Sequence, residues 1–399
     1  MELIERVKAL SKDYFEDVVF FRRHFHAAPE LSMQEHKTAA FIASRLEEMG
    51  IPFEEGIAET GLVATIEGKT PESAMVALRA DMDALPILEQ NNVEYKSANP
   101  GVMHACGHDV HMAGMLGTAR ILHTLRDQWE GTVKLIFQPS EENYPGGASL
   151  MLQAGIFEDK RPDVMFGQHV YPGLPVGKVG VRSGRYMAST DEVYITVKGK
   201  GGHAATPQLN IDPVVIASHI VIALQQIVSR HASPTVPTVL SFGKIMGEGQ
   251  TNVIPDEVRL EGTFRTFDEE WREKAHLHIR EVAVFVAQGM GADCDVFIDK
   301  GYPFLINHEK TTAHFHAYAS EYLGQENVEE LDLSMTAEDF AYYSQRFPTC
   351  FYRLGTRNVE QSITSNQHTS TFDVDEKALE TGMGLMAWAT MQELKRNQG

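Results

Sequence analysis

Apolar residues recur with two different rhythms along this chain, and the change of rhythm marks its parts. Residues 74–79, 132–137 and 163–167 are short apolar runs of strand length, each separated from the next by a segment of helical spacing. That alternation predicts an α/β sheet with covered faces. Between Asp191 and Lys300 the order becomes strand 191–198, helix 212–231, strand 237–246, strand 256–266, helix 268–290 and strand 293–299. This is βαββαβ, the ferredoxin-like order. Such a self-contained unit reads as an insertion, whose ends must lie close together. Gly180-Val181-Arg182-Ser183-Gly184 and Lys300-Gly301-Tyr302-Pro303 supply the glycines and proline expected of two crossings. The predicted organisation is one domain from 1–184 and 300–399, with 185–299 inserted. Met1 to Val7 alternates charge and apolar residues as an amphipathic helix does, and Asp375 is placed to cap the last helix.

Composition removes some functions. The chain has 399 residues, enough for two domains, and its 55 Asp and Glu against 35 Lys and Arg give a formal charge of -20. With no run of basic residues, nucleic acid is not an expected partner. The N-terminus lacks a signal-peptide apolar core and no apolar stretch reads as long enough to span a membrane, so a cytoplasmic location and no membrane partner are expected. Three scattered cysteines, Cys106, Cys294 and Cys350, argue for reduced thiols.

The candidate chemistry concentrates in His104-Ala105-Cys106-Gly107-His108-Asp109, with further groups at Glu141-Glu142, His169 and His368. A soft sulfur, imidazole nitrogens and carboxylates together suit zinc, cobalt, nickel or manganese. Gly107 and the helical run 108–125 suggest a loop feeding a helix N-terminus, with Cys106 and His108 as the first two ligands. Taken alone, the motif also fits a buried free cysteine with solvent-facing histidines. Glu141-Glu142 follows a strand directly, where an α/β sheet edge hands over to a loop. Adjacent carboxylates point in different directions, so one can bind metal while the other deprotonates the attacking water, although alone the pair fits a solvated acidic turn better. His169 repeats that placement at the end of 163–167. After another strand, Asp81 or Asp83 could orient a metal-bound imidazole; Asp83 is favoured, and either also fits an acid solvating a turn.

These stretches resemble the metal-dependent N-acyl-amino-acid amidohydrolases of the aminoacylase and carboxypeptidase group. The branch of hippurate hydrolases, N-acetyldiaminopimelate deacetylases and auxin-conjugate hydrolases fits best. The resemblance runs nearly end to end, through 22–32, the His104 motif, Gln138-Pro139-Ser140-Glu141-Glu142, Gly201-Gly202-His203-Ala204-Ala205-Thr206-Pro207, Ala337-Glu338-Asp339-Phe340 and His368-Thr369-Ser370-Thr371-Phe372. It implies a mixed-sheet metallopeptidase catalytic domain holding two divalent metal ions, and a ferredoxin-like lid that often makes homodimers. By similarity Cys106, His108, Glu142, His169 and His368 are metal ligands, Glu141 is the general base and Asp83 orients a ligand. His203 matches a lid histidine that stabilises the tetrahedral intermediate, often across subunits. Asn252 and Arg265 match substrate-contacting lid positions, the arginine suiting a free carboxylate. Two departures, Asn143-Tyr144-Pro145 before Gly146 and Ala337 where serine is frequent, bear on substrate preference.

The expected reaction is hydrolysis of the amide of an N-acyl amino acid by metal-activated water, with Glu141 accepting the proton and returning it to the leaving nitrogen. One rival is a metallo-dipeptidase or carboxypeptidase using the same machinery. Another is a catalytically silent metal-binding dimer, which would have no use for a base beside its glutamate ligand. The sequence does not select the acyl group or the amino acid.

Overall fold

The structure is a computed structural model and describes residues 2–396. The N-terminal helix runs Leu3–Asp13, with Met1 outside the described residues. The chain divides into two compact units, one of residues up to Gly184, Ile306–Leu333 and those from Asp339 onward, the other of Arg185–Leu305 and Ser334–Glu338.

Among the described residues, the first unit is built on an eight-stranded mixed sheet. Its order is Phe53–Ile57, Gly61–Glu67, Thr132–Gln138, Met75–Asp81, Val164–Pro175, Thr349–Arg357, Val179–Val181, Val328–Glu330. Thr132–Gln138, Met75–Asp81, Val164–Pro175 and Thr349–Arg357 run parallel, so their C-terminal ends share one edge. Register sets what meets there: Asp81 lies opposite Gln138, and Arg79 opposite Gly167. Met75–Asp81 and Thr132–Gln138 are buried along their whole length, which is why they read as continuous apolar runs rather than alternating ones. The strand expected at 163–167 runs on to Pro175, because Gln168 and His169 are buried in a ladder that keeps pairing with Thr349–Arg357.

Helix His108–Thr124 packs against Lys377–Arg396 and Phe15–Ala27. It is buried nearly all round, with His108, Asp109 and His111 at its head as buried polar residues. Gly117 permits the approach: a Cβ there would lie 2.6 Å from Met383 Sδ and 2.9 Å from Val18 Cγ2. At the head of Lys377–Arg396, the Asp375 side chain accepts the Lys377 N–H at 2.9 Å.

The second unit runs strand Asp191–Lys198, helix Pro213–Gln226, strands Thr238–Met246 and Glu257–Thr266, helix Glu269–Gly289 and strand Asp293–Lys300. The four strands form an antiparallel sheet in the order Thr238–Met246, Glu257–Thr266, Asp191–Lys198, Asp293–Lys300, over a separate apolar core. The expected helix 212–231 is α-helical to Gln226 and then a π-helical turn, Ile227–His231. By length and composition Pro213–His231 could cross a membrane, which corrects the expectation that no stretch could. Its apolarity has a local use, since Ile216, Ala217, Ile220, Leu224 and Ile227 all enter this core.

Candidate metal centre

The site is assembled where the parallel strands end. Gly107 adopts φ 90°, a left-handed conformation, and a Cβ at that position would lie 2.4 Å from Val170 Cγ2. Only glycine lets the chain turn there, and the turn aims Cys106 and His108 at the same space. On the opposite side, His368 is also left-handed, with φ 60°, and its N–H donates to Ala105 O at 2.8 Å. A third left-handed residue, Ser140 with φ 53°, immediately precedes Glu141-Glu142. Non-glycine residues held this way cost on the order of 1–3 kcal/mol each and cluster where a geometry is over-determined.

Five of the residues singled out in the sequence converge. Cys106 Sγ lies 3.5 Å from His169 Nε2 and 3.4 Å from His368 Nε2, and His368 Nε2 lies 3.3 Å from Glu142 Oε1. His108 Nε2 is 4.0 Å from that same oxygen. Ligand atoms of Cys106, His108 and His169, and those of Cys106, Glu142 and His368, each fall within 4.8 Å of one another. Among the described residues, His108 Nε2 is buried with no hydrogen-bond partner, and the buried Glu142 Oε1 has His368 Nε2 at 3.3 Å but no well-formed hydrogen bond. Buried polar atoms are rarely left so, and a cation between them removes the penalty. The rear nitrogens agree: His108 Nδ1 faces Asp83 O at 2.8 Å and His169 Nδ1 faces Val170 O at 2.9 Å, which leaves each Nε2 as a lone pair. The donor set fits two divalent metals.

Asp83 organises the edge from behind. Its Oδ1 accepts the Glu141 N–H and its Oδ2 the Glu142 N–H, both at 2.9 Å, while Ser32 Oγ donates to Oδ2 at 2.6 Å. Toward His108 it offers its main-chain oxygen more closely than its carboxylate, whose Oδ1 is 3.3 Å from Nδ1. Asp81 is otherwise engaged, with Arg79 NH1 and His111 Nδ1 each at 2.5 Å. His111 Nε2 in turn accepts the Val170 N–H at 2.9 Å. Both nitrogens of His111 are therefore used, and it is not a free ligand although it sits one helical turn from His108. Arg79 also donates to Asp339 Oδ1 at 2.6 Å, and the Asp339 N–H points to Glu141 Oε1 at 3.4 Å.

Burial and neighbouring charges act in opposite senses at His108 and in the same sense at Cys106. Burial opposes a charge on His108, but Asp81, Asp83 and Glu142 outweigh it and raise its pKa to about 10. Burial, then Glu142 and Glu141, push the Cys106 thiol well up. Burial, with His111 and Arg353 nearby, holds His169 far below its ordinary value.

The remaining candidates lie in the second unit. His203 is exposed on the two-residue strand Gly202–His203, paired with Val253 of Val253–Ile254. Asn252 adjoins it, accepting the Ala204 N–H at 3.0 Å through its main-chain oxygen. Arg265 is partly buried, NH1 donating to Asp191 O at 3.3 Å and Phe264 O at 3.1 Å and contacting Thr263 Oγ1. Sequence reasoning passed over Arg79, His111 and Asp339. An arginine inside a fully buried strand, and a histidine three residues after His108, were the available signals.

Similar proteins carry the same arrangement of sequence. The family model for peptidase family M20/M25/M40 matches residues 77–392. An N-acyl-L-amino acid amidohydrolase of Geobacillus stearothermophilus is 42% identical over 306 residues, covering 77% of this chain and 82% of that one. Thermostable carboxypeptidase 2 of Saccharolobus solfataricus is 38% identical over 96% of each chain. The crystal structure of the Bacillus subtilis YXEP protein, a dinuclear metal binding peptidase from the M20 family, superposes with a TM-score of 0.84 at 35% identity, covering 96% of this chain and 99% of that one. Family model and relatives agree over most of the chain, which belongs to peptidase family M20/M25/M40.

Proposed function

We propose that the protein is a dinuclear-metal amidohydrolase that releases amino acids from N-acyl amino acids. The observation that carries this reading is the pairing of Glu141 with Glu142, their backbone N–H groups both held by the Asp83 carboxylate. A site that only binds metal has no need of a second, separately oriented acid. Two divalent cations, held by Cys106, His108, Glu142, His169 and His368, would polarise the scissile carbonyl and acidify water when bound. Glu141 is 7% exposed, enough to reach substrate while most of its surface is desolvated. It takes the proton of the attacking water and gives it to the departing nitrogen. Asp83 holds the Glu141 backbone, and the Asp339 N–H faces the Glu141 carboxylate at 3.4 Å. His203 Nδ1 accepts the Ala205 N–H at 3.0 Å, so the neutral ring carries its proton on Nε2, as an oxyanion donor requires.

We read the second unit as a ferredoxin-like lid inserted into the catalytic domain, with Asn252 and Arg265 as its substrate contacts and with homodimers forming through it. Exposed Ile222 and Phe285 on its helices support an interface there. The location assigned is cytoplasmic, and the thiolate ligand favours zinc over manganese, with cobalt and nickel as substitutes. A carboxypeptidase reading is favoured by one relative, whose name carries that activity.

The test is amino-acid release from N-acetyl and N-benzoyl amino acids and from plain dipeptides, using protein stripped of metal and reloaded with Zn, Mn, Co or Ni. Release from the acylated substrates that returns with metal is expected. Release from dipeptides alone transfers the assignment to the peptidase, and folded, metal-loaded protein that cleaves neither class overturns the hydrolase reading.

A further inference from the structure

Helix Phe15–Ala27 carries a buried charge cluster that the reaction above leaves without a role. Arg22, fully buried, spends its guanidinium in three directions: Nε to Asp109 Oδ2 at 2.8 Å, NH2 to Asp373 Oδ1 at 2.8 Å, and NH1 to Glu376 Oε1 at 3.3 Å. The Tyr95 ring lies 4.6 Å from the guanidinium carbon, and its hydroxyl donates to Asp373 Oδ2 at 3.0 Å. One turn along, His26 contacts Asp109 Oδ2 at 2.8 Å and Glu89 Oε1 at 3.2 Å. Asp109 follows His108 directly, and Asp373 shares with His368 the loop 358–376.

Apolar packing would join these segments at less cost. Replacing a buried ion cluster with well-packed hydrophobic residues is often neutral or stabilising, so its presence is weak evidence of a stability role. What the guanidinium supplies and apolar contact does not is direction: its planar fork fixes the distance and angle between two carboxylates. The candidate centre has such a need, since Cys106 and His368 are 262 residues apart in sequence and metal sites tolerate distance errors of only about 0.2 Å. Backbone contacts reinforce the same loop, with Gln90 N–H on Ser370 O and Asn91 Nδ2 on Phe372 O, both at 2.8 Å.

We propose that Arg22 is a positioning residue for the metal centre, fixing the turn that carries Cys106 and His108 to the loop that carries His368 through its two anchors, Asp109 and Asp373. The inference rests on the metal-site reading given above. It is tested with wild type, Arg22→Lys, Asp373→Asn, their double variant and Cys106→Ser. Each is stripped of metal and scored for Tm, for Zn affinity by competition with a chromophoric chelator, and for kcat and KM after reloading. Arg22→Lys keeps the charge and loses the fork, so Zn affinity is expected to fall about 10–100-fold, as when outer-shell partners of metal ligands are lost. kcat falls with it while KM stays near the wild-type value. Asp373→Asn moves both in the same direction, and the double variant is less impaired than the two effects added, because they share one contact.

Variants that melt earlier without metal yet bind Zn and turn over like wild type overturn the proposal and leave the cluster a packing element. If Arg22→Lys does not fold, Asp373→Asn, whose side chain is only partly buried, decides by the same readouts. Wild type that binds no Zn, or Cys106→Ser that binds it undiminished, overturns the metal-site reading and this inference with it.

Discussion

Glu141 and Gly107 show two ways in which a single residue commits this site. On the proposed reading Glu141 lies beside the candidate ligand Glu142 and serves as the base, so Glu141→Ala is expected to retain metal while lowering kcat by at least about 10²–10⁴-fold, the range for a lost general base. Metal content by mass spectrometry, with turnover measured on the same preparation, checks it; an active variant with full metal ends the base assignment. Gly107 acts through the backbone. Gly107→Ala must accept φ 90° and a 2.4 Å approach to Val170, and is expected to cost about 1–3 kcal/mol in unfolding free energy and to weaken metal binding. Thermal melts and metal titration of the variant measure both. The candidate ligands stood out in the sequence only in combination, since each motif alone also fits a bland use, and the full set came from the family resemblance. Arg79 did not stand out, because one arginine closing an apolar run looks like the end of a strand. Its burial follows only from the parallel neighbours on both sides and from Asp339, far away in sequence. Asp81 and Asp83 likewise differ only in the folded chain: Asp81 is held by Arg79 and His111 and lies 3.6 Å from His108 Nε2, while His108 Nδ1 faces Asp83 O at 2.8 Å.

Secondary-structure elements were legible where period alone decides them and less so where packing does. Strand Val164–Pro175 outruns its apolar stretch because pairing with Thr349–Arg357 carries polar Gln168 and His169 into the interior. The opposite case is Asp191, the first residue of strand Asp191–Lys198, which is anchored by charge. Arg272 Nε donates to it at 2.9 Å and His276 Nε2 contacts it at 2.8 Å. Burial alone would raise its pKa, but hydrogen bonds from His276 and Arg272 and the Arg272 charge hold it below the ordinary value. A carboxyl with a lowered folded pKa contributes stability that is complete above its unfolded value, about 4, and is lost as pH falls through the folded one. Asp191→Asn is therefore expected to destabilise at pH 7 by about 3–5 kcal/mol, the cost of stranding a buried partner. It should also flatten the loss of stability below pH 4. Denaturant melts of wild type and variant between pH 2 and 7 decide it, and parallel curves would remove Asp191 from the acid transition.

At the scale of the whole molecule, the division into two units with separate apolar cores predicts separable responses. The candidate ligands all belong to the first unit, so metal stabilises that unit alone, by about 4 kcal/mol when free metal exceeds Kd a thousandfold. Calorimetry with and without chelator is expected to show two transitions of which one moves; a single transition shifting as a whole would mean that the units unfold together. The chain's path adds a consequence for its synthesis. The central sheet of the first unit waits for Thr349–Arg357 and its centre for His368, whereas the four-stranded sheet of the second unit is complete at Lys300. Domains generally fold as units once their residues have emerged. That four-stranded sheet can therefore form before the first unit has received its last strands, and metal capture at a centre that includes His368 is expected late in the maturation of the nascent polypeptide.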